Sequence, residues 1–346
     1  MLKPLRCRFE LIFFSKLLQW WRVEKPHPFI CPYGNRHSDN KEQNRTAKLR
    51  TETVVHARIL KGMRKHDNCG VPRGDFYERL LVSPAAPAMY ISSMFRPKRR
   101  KVERLDFILA GAQKSGTTAL HYFLSRHPDI CMGDRQEIHF FDNDAMFIAE
   151  PSYEELHEHY PPIASSTIAG DCTPSYLYHQ SAAERICNYN PKIKFLILLR
   201  NPVDRAFAHW NMQRHRGREP LDFFDAIREE ETRIAGAPPT EARRFAYVER
   251  GFYGRQLERL FKFFPREQVK AVKFEDFKAN QRETLASIFS FLGRKPLRSL
   301  RNKDRNIVPY ERAMNWEERV FLYNLFADDI AQVEYLLGWN CADWKL

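Results

Sequence analysis

Residues Leu105 to Ala110 form a short apolar run, Gly111 to Thr118 read Gly-Ala-Gln-Lys-Ser-Gly-Thr-Thr, and Thr117 to Ser125 place Leu120, Phe123 and Leu124 at helical spacing. A strand that ends in a glycine-containing loop and passes directly into a helix leaves few folds open. The backbone N–H groups of such a loop and of the helix's first turn converge on one spot and attract an anion. Lys114 adds a full positive charge there, and Thr117 and Thr118 add hydroxyl donors.

The same alternation continues downstream. Thr167 to Gly170 predicts a second strand and Ser181 to Tyr189 a helix. Lys194 to Leu199 is too continuously apolar for a one-sided sheet and predicts a central strand covered on both faces. Pro202 stands where a helix's first turn tolerates proline, opening a helix to about Gln213. Phe223 to Ile234, Tyr253 to Phe264, Glu283 to Leu292 and Arg319 to Leu337 have helical spacing, and Val269 to Phe274 predicts a strand. The expected fold is α/β: a single P-loop-like domain over residues 103–346, with a central parallel sheet flanked by helices and its ligand at the carboxyl ends of the strands.

The first 102 residues differ. The chain carries Lys+Arg 56 against Asp+Glu 43, a formal net charge of +13, but residues 1–100 hold 21 Lys+Arg and 8 Asp+Glu, leaving 35 of each sign in residues 101–346. The excess therefore belongs to a basic, proline-containing segment with little periodicity, which reads as mostly loop or disordered with a short helix around Thr51 to Lys65. Met94, followed by a basic run and the first convincing strand, is an alternative start of translation. The longest apolar runs, Leu11 to Phe14 and Phe195 to Leu199, fall far short of the ~20 residues that span a bilayer, and no small-residue cleavage site follows Trp20 and Trp21. The expectation is a cytoplasmic protein with reduced cysteines and no transmembrane anchor.

Spacing narrows the choice of anion. A nucleoside-triphosphatase loop places lysine after its second glycine, whereas here Lys114 precedes Gly116 and Thr117 occupies the lysine position. Lys194 to Leu199 ends in Arg200 where such an enzyme needs a metal-holding acid, and a guanidinium there favours a second phosphate.

The loop Gln113-Lys114-Ser115-Gly116-Thr117-Thr118, the segment Glu137-Ile138-His139-Phe140-Phe141-Asp142, Thr173-Pro174-Ser175-Tyr176, Arg200-Asn201-Pro202-Val203-Asp204-Arg205-Ala206 and Arg250-Gly251-x-Tyr253 occur in the order seen in sulfotransferases. Over about residues 105 to 310 the chain most resembles the heparan-sulfate-type enzymes and their bacterial relatives. The resemblance implies 3′-phosphoadenylyl sulfate as donor and no metal. It implies that Lys114, Ser115, Gly116, Thr117 and Thr118 hold the 5′-phosphosulfate and Arg200 the 3′-phosphate, that Arg250 and Gly251 lie beside the nucleotide, and that Lys303 and Arg305 belong to a basic loop completing the site. Glu137 matches the family's catalytic base and His139 its companion, while Lys114 stabilises the leaving group. In an extended segment residues two apart share a face, so Glu137 and His139 are expected to point into one cleft. The acceptor implied is a hydroxyl, or an amine, of a carbohydrate, glycolipid or other small molecule.

Two departures stand out: Cys172 where heparan-type enzymes carry lysine, and Ala208 where they carry serine. The missing serine removes one hydrogen bond to the 3′-phosphate and leaves Arg200 with the neighbouring His209; the missing lysine argues against assuming a heparan acceptor. Cys172 reads as a buried filler. Phe223, Phe224, Phe261, Phe263 and Phe264 are expected in the core, while Tyr153, Tyr160 and Trp210 fit either the core or an acceptor cleft bounded by residues 142–166 and 214–244. Two other readings stay open: a P-loop-type nucleotide kinase or triphosphatase, and nucleic-acid binding through the basic N-terminal segment, with no nucleic acid expected for the folded domain.

Overall fold

The computed structural model describes residues 98–297 and 309–346. The Thr51 to Lys65 helix, Met94, Lys303 and Arg305 lie outside the described residues. The strands are β1 (Arg99–Arg100), β2 (Phe107–Gly111), β3 (Ile130–Cys131), β4 (Ile163–Ala164), β5 (Ile168–Cys172), β6 (Lys194–Leu199) and β7 (Val269–Lys273). The helices are α1 (Thr117–Leu124), α2 (Glu154–His157), α3 (Ala182–Tyr189), α4 (Pro202–His215), α5 (Phe223–Arg228), α6 (Glu230–Ile234), α7 (Pro239–Phe245), α8 (Tyr253–Phe261), α9 (Phe274–Ala279), α10 (Gln281–Phe291) and α11 (Trp316–Leu337).

Five strands form one parallel sheet in the order β3-β5-β2-β6-β7, and β1 pairs antiparallel with β4. Side chains alternate across the sheet and fill a core on each face. Phe107 and Leu109 of β2, with Leu196 and Leu198 of β6, pack with Leu120 and Phe123 of α1 and Ile288 and Phe289 of α10. Ile108 and Ala110, with Phe195, Ile197 and Leu199, face the other way, towards a core that includes Ile186 of α3, Ala206 of α4, Leu257 of α8 and Phe326 of α11. Lys194–Leu199 is thus the doubly covered strand its composition predicts, lying between β2 and β7.

From β2 the chain goes on to β3 at one edge of the sheet, and from β6 to β7 at the other, so the chain diverges between β2 and β6. A crevice at the carboxyl ends of diverging strands is where α/β sheets bind ligands. Residues 111–116 and Arg200 emerge on its two sides.

Several sequence expectations shift for local reasons. β2 begins at Phe107 because the Leu105 backbone is engaged elsewhere: its N–H donates to the Tyr189 hydroxyl (2.7 Å), and its carbonyl accepts from Asn190 Nδ2 (2.9 Å). The single helix expected over Phe223 to Ile234 is two, α5 and α6. Glu230, at the start of the second, turns inward and accepts the N–H groups of Val248 (2.6 Å) and Glu249 (2.8 Å). The two-residue strands β1, β3 and β4 are too short for any periodicity to announce.

Gly170 of β5 sits under the Phe107 ring, which a Cβ would overlap. Gly170→Ala is therefore expected to lower folding stability by about 1–3 kcal/mol in urea denaturation, and Phe107→Leu in the same chain to restore part of the loss.

Candidate active site

The loop after β2 is built around two close approaches. A Cβ at Gly111 would lie 2.9 Å from Leu177 Cβ, and the Leu177 N–H donates to the Ala110 carbonyl (3.0 Å), so the stretch after β5 lies directly against the loop. The Ala112 N–H donates to the Leu198 carbonyl of β6 (2.6 Å) and the Ser115 N–H to the Ala112 carbonyl (3.2 Å), which closes the turn. Gly116 caps α1 in the left-handed conformation (φ 89°) with no side-chain cap, so the N–H groups of the first turn, at Thr117 and Thr118, stay available to a ligand.

Four cations gather here. Burial, followed by the charges of Arg200, Arg216 and Arg205, pulls the Lys114 ammonium down to about 8. Arg200 follows β6, its guanidinium over the Phe274 ring (5.2 Å) and its carbonyl accepting from the Tyr253 hydroxyl (3.0 Å). Arg250 is buried, donates to Gln113 Oε1 of the loop (2.7 Å) and lies over the Tyr178 ring (4.9 Å); burial, then Arg205, lowers it to about 10. Arg205 is fully buried, and its Nη2 donates to the Tyr247 carbonyl. Among the described residues its Nε and Nη1, and Arg250 Nε, have no hydrogen-bond partner, and none of the four cations forms an ion pair. Positive charge that no carboxylate pairs with directly suits a polyanion.

Beside Arg200 a groove of about 490 Å³ runs between Asp204 and Phe207 of α4 and Tyr310, Arg312 and Arg319. His209 does not reach it. The helical period turns it a step away from the face of Asp204 and Phe207, into full burial against Tyr247 (ring centroids 4.9 Å), where burial and the charge of Arg205 hold it neutral. The expectation that His209 stands in for the missing serine is corrected accordingly. Gly251 admits the Phe326 ring of α11, a packing reason for a glycine at that position. Trp210 and Tyr160 are core: the first donates to the Leu221 carbonyl (3.1 Å), the second to the Gly170 carbonyl (3.2 Å).

Glu137 and His139 do meet, His139 Nε2 lying 3.5 Å from Glu137 Oε2, but not through an extended segment. Both residues are left-handed (φ 61° each), on either side of the buried Ile138. With Lys114 (φ 69°) they are the positive-φ non-glycine residues among those described. Such conformations cost about 1–3 kcal/mol each and persist where the surroundings over-determine them, commonly at functional sites.

The surroundings are specific. Tyr176 Oη accepts the N–H of Phe140 (3.0 Å), and the Glu137 N–H donates to the Cys172 carbonyl (2.9 Å). Gln136 Nε2 reaches both Thr118 Oγ1 and Cys172 Sγ (3.4 Å each), tying this segment to the start of α1 and leaving Cys172 buried as expected. Behind His139 stands Asp142, fully buried, which reading the sequence missed. Its Oδ2 accepts from His139 Nδ1 (2.9 Å), Ser175 Oγ (2.5 Å) and Arg243 Nη1 (2.8 Å). Burial opposes ionisation of Asp142, but these donors outweigh it and hold its carboxyl below the ordinary range. Asp142 and Ser175 belong to stretches already singled out and follow His139 and Thr173 by short steps; nothing in the sequence points to Arg243.

Hydrogen bonds to Asp142, then to Glu137, raise the His139 imidazole to about 9, above the 6.5 of an unstrained histidine. Protonation therefore favours the fold: the contribution is complete below about 6.5 and is lost as pH rises through about 9. An NMR titration of His139 is expected to centre near 9 and to fall towards 6.5 in Asp142→Asn; a wild-type midpoint near 6.5 contradicts the geometry.

Comparison with known proteins identifies the family. The sulfotransferase domain family model matches residues 104–306. The membrane-associated sulfotransferase kil1 of Dictyostelium discoideum is 24% identical over 308 residues, covering 67% of this chain and 65% of that protein. The heparan sulfate glucosamine 3-O-sulfotransferase 5 of Homo sapiens is 31% identical over 170 residues, covering 48% of this chain and 46% of the other. The chain thus spans less than two thirds of the length of these relatives. The crystal structure of a sulfotransferase from Alicyclobacillus acidocaldarius is 29% identical, covers 70% of this chain and 98% of its own, and has a TM-score of 0.59. With the family model matching more than half of this chain and a solved member sharing its fold, the chain belongs to the sulfotransferase family.

Proposed function

We propose that residues 103–346 transfer a sulfuryl group from 3′-phosphoadenylyl sulfate to a hydroxyl of a carbohydrate or glycolipid. The observation that carries this reading is the set of cations around one loop, Lys114, Arg200, Arg205 and Arg250, without carboxylate partners among the described residues. A donor with an anionic group at each end of its nucleoside matches cations at both sides of the crevice. When bound, it supplies the sulfuryl group as a phosphosulfate anhydride.

Lys114 and the first turn of α1 hold the 5′ end, and Lys114 neutralises the bridging oxygen as the old S–O bond breaks. Arg200 offers its planar fork to the 3′-phosphate. Arg250 fixes the loop through Gln113, and Lys303 and Arg305 are the candidates, from the family resemblance, for a basic loop that completes the site. Glu137 takes the acceptor's hydroxyl proton as the new S–O bond forms, a step worth about 10²–10⁴-fold. His139, protonated at neutral pH, orients the Glu137 carboxylate and is not itself the base. The heparan sulfate relatives make a carbohydrate acceptor the first to test, and Cys172 in place of lysine favours one other than heparan.

The test is transfer of label from the [35S] donor to a panel of glycans and glycolipids. Lys114→Ala and Arg200→Ala should each weaken binding of adenosine 3′,5′-bisphosphate by about tenfold or more. Glu137→Gln should keep that binding and lose about a hundredfold or more in turnover; wild-type turnover in this variant removes Glu137 as the base. Because the Lys114 ammonium titrates at about 8 in the free protein, kcat/KM for the donor should fall as pH rises through about 8. Lys114→Arg should move that limb out of range, since arginine stays charged.

A further inference from the structure

Arg243 lies on α7, far along the chain from the catalytic segment, yet one guanidinium grips a single residue of that segment twice. Nη1 donates to Asp142 Oδ2 (2.8 Å) and Nη2 to the Asp142 carbonyl oxygen (2.5 Å). We propose that Arg243 is a positioning residue for proton transfer: it fixes the Asp142 carboxylate and, through it, the His139 imidazole that steadies Glu137. This rests on the reading of Glu137 as the base.

Asp142 is fully buried, so no water shares its charge, and an isolated carboxylate there is costly. Of the three donors to Oδ2, His139 is the group to be oriented and Ser175 is neutral. Arg243 brings the one permanent charge among them, and its second bond to the Asp142 backbone sets where the carboxylate points. A carboxylate locked in this way holds Nδ1–H of His139 and leaves Nε2 directed at Glu137.

The stretch that presents Arg243 is itself secured. Glu219, in the loop after α4, accepts from Arg233 Nη1 (2.9 Å) and the Tyr247 hydroxyl (2.6 Å), and Glu230 accepts the backbone N–H groups of Val248 and Glu249. Residues 219–249 are therefore fastened on both sides of α7. The same stretch overlaps residues 214–244, expected from the sequence to bound the acceptor cleft, so Arg243 joins the acceptor side of the site to its proton-transfer side. Other charged groups facing this centre are Glu137, the buried Arg250, which feels both Asp142 and Arg243, the buried Asp171 of β5, and Asp144 with its partners Arg185 and His179.

The test compares the wild-type chain with Arg243→Met and Arg243→Gln. Both should keep binding of adenosine 3′,5′-bisphosphate while kcat falls about ten- to a hundredfold, as small misplacements of reacting groups produce. Removing the cation beside Asp142 should also move the NMR midpoint of His139 upwards, a change that a tether acting only on stability does not produce. In the wild type, whatever the variants' folding, the Arg243 guanidinium resonances should shift in step with His139. A folded variant with wild-type kcat and an unmoved His139, or wild-type Arg243 signals indifferent to His139, overturns the proposal. If Glu137→Gln turns over normally, the reading of Glu137 has failed instead; if Glu137→Gln is inactive and Arg243→Gln behaves as wild type, only the role of Arg243 has failed.

Discussion

Mutual repulsion among Lys114, Arg200, Arg205 and Arg250 is the constraint on which the site depends. Like charges in a partly desolvated pocket raise the free energy of the ligand-free protein, and the Lys114 ammonium is depressed first by burial and then by the charges of Arg200, Arg216 and Arg205. The fold holds them together regardless. Parallel pairing of β2 with β6 fixes the loop beside Arg200, Gln113 anchors Arg250, the Tyr247 carbonyl takes Arg205, and the two-faced core of the sheet supplies the stability that offsets the repulsion. On the proposed function, these held charges are what an anionic donor meets.

In the neighbouring segment around Glu137 the arrangement centres on an anion instead. There a buried carboxylate, Asp142, is surrounded by donors, and the outermost groups, His139 and Glu137, are half exposed. Left-handed backbone at Lys114, Glu137 and His139 places strain at three residues to which the proposed function gives catalytic roles. Gln136 links this segment to the loop's helix, touching Thr118 on one side and Cys172 on the other. Stability is thus spent on a charge pattern and on backbone geometry at the same few residues.

How much of this was legible in the sequence depends on how local each cause is. β6 could be read residue for residue because burial on both faces writes itself as an unbroken apolar run, and the loop could be read because glycines, lysine and hydroxyls stand side by side. The meeting of Glu137 and His139 was expected from an extended segment and arises instead from two left-handed residues, a conformation set by the Tyr176 hydroxyl and the Cys172 carbonyl. His209 looked available as a neighbour of Ala208, but one step along a helix is a large rotation, and it turns inward. Arg243 was illegible because its partner lies far away in sequence and is met only when α7 is in place. The +13 charge, read whole, suggests a nucleic-acid partner; its placement in the first hundred residues leaves a neutral body whose anion site needs only a few cations at chosen points.

Titration calorimetry of the full chain with adenosine 3′,5′-bisphosphate, adenosine 5′-phosphate and ATP, each with and without magnesium, tests the central claim most directly. Cations placed for a phosphate at each end of the nucleoside should bind the bisphosphate at least about tenfold tighter than the 5′-phosphate, independently of magnesium. Equal affinity for the two, or a preference for magnesium-loaded ATP, contradicts it.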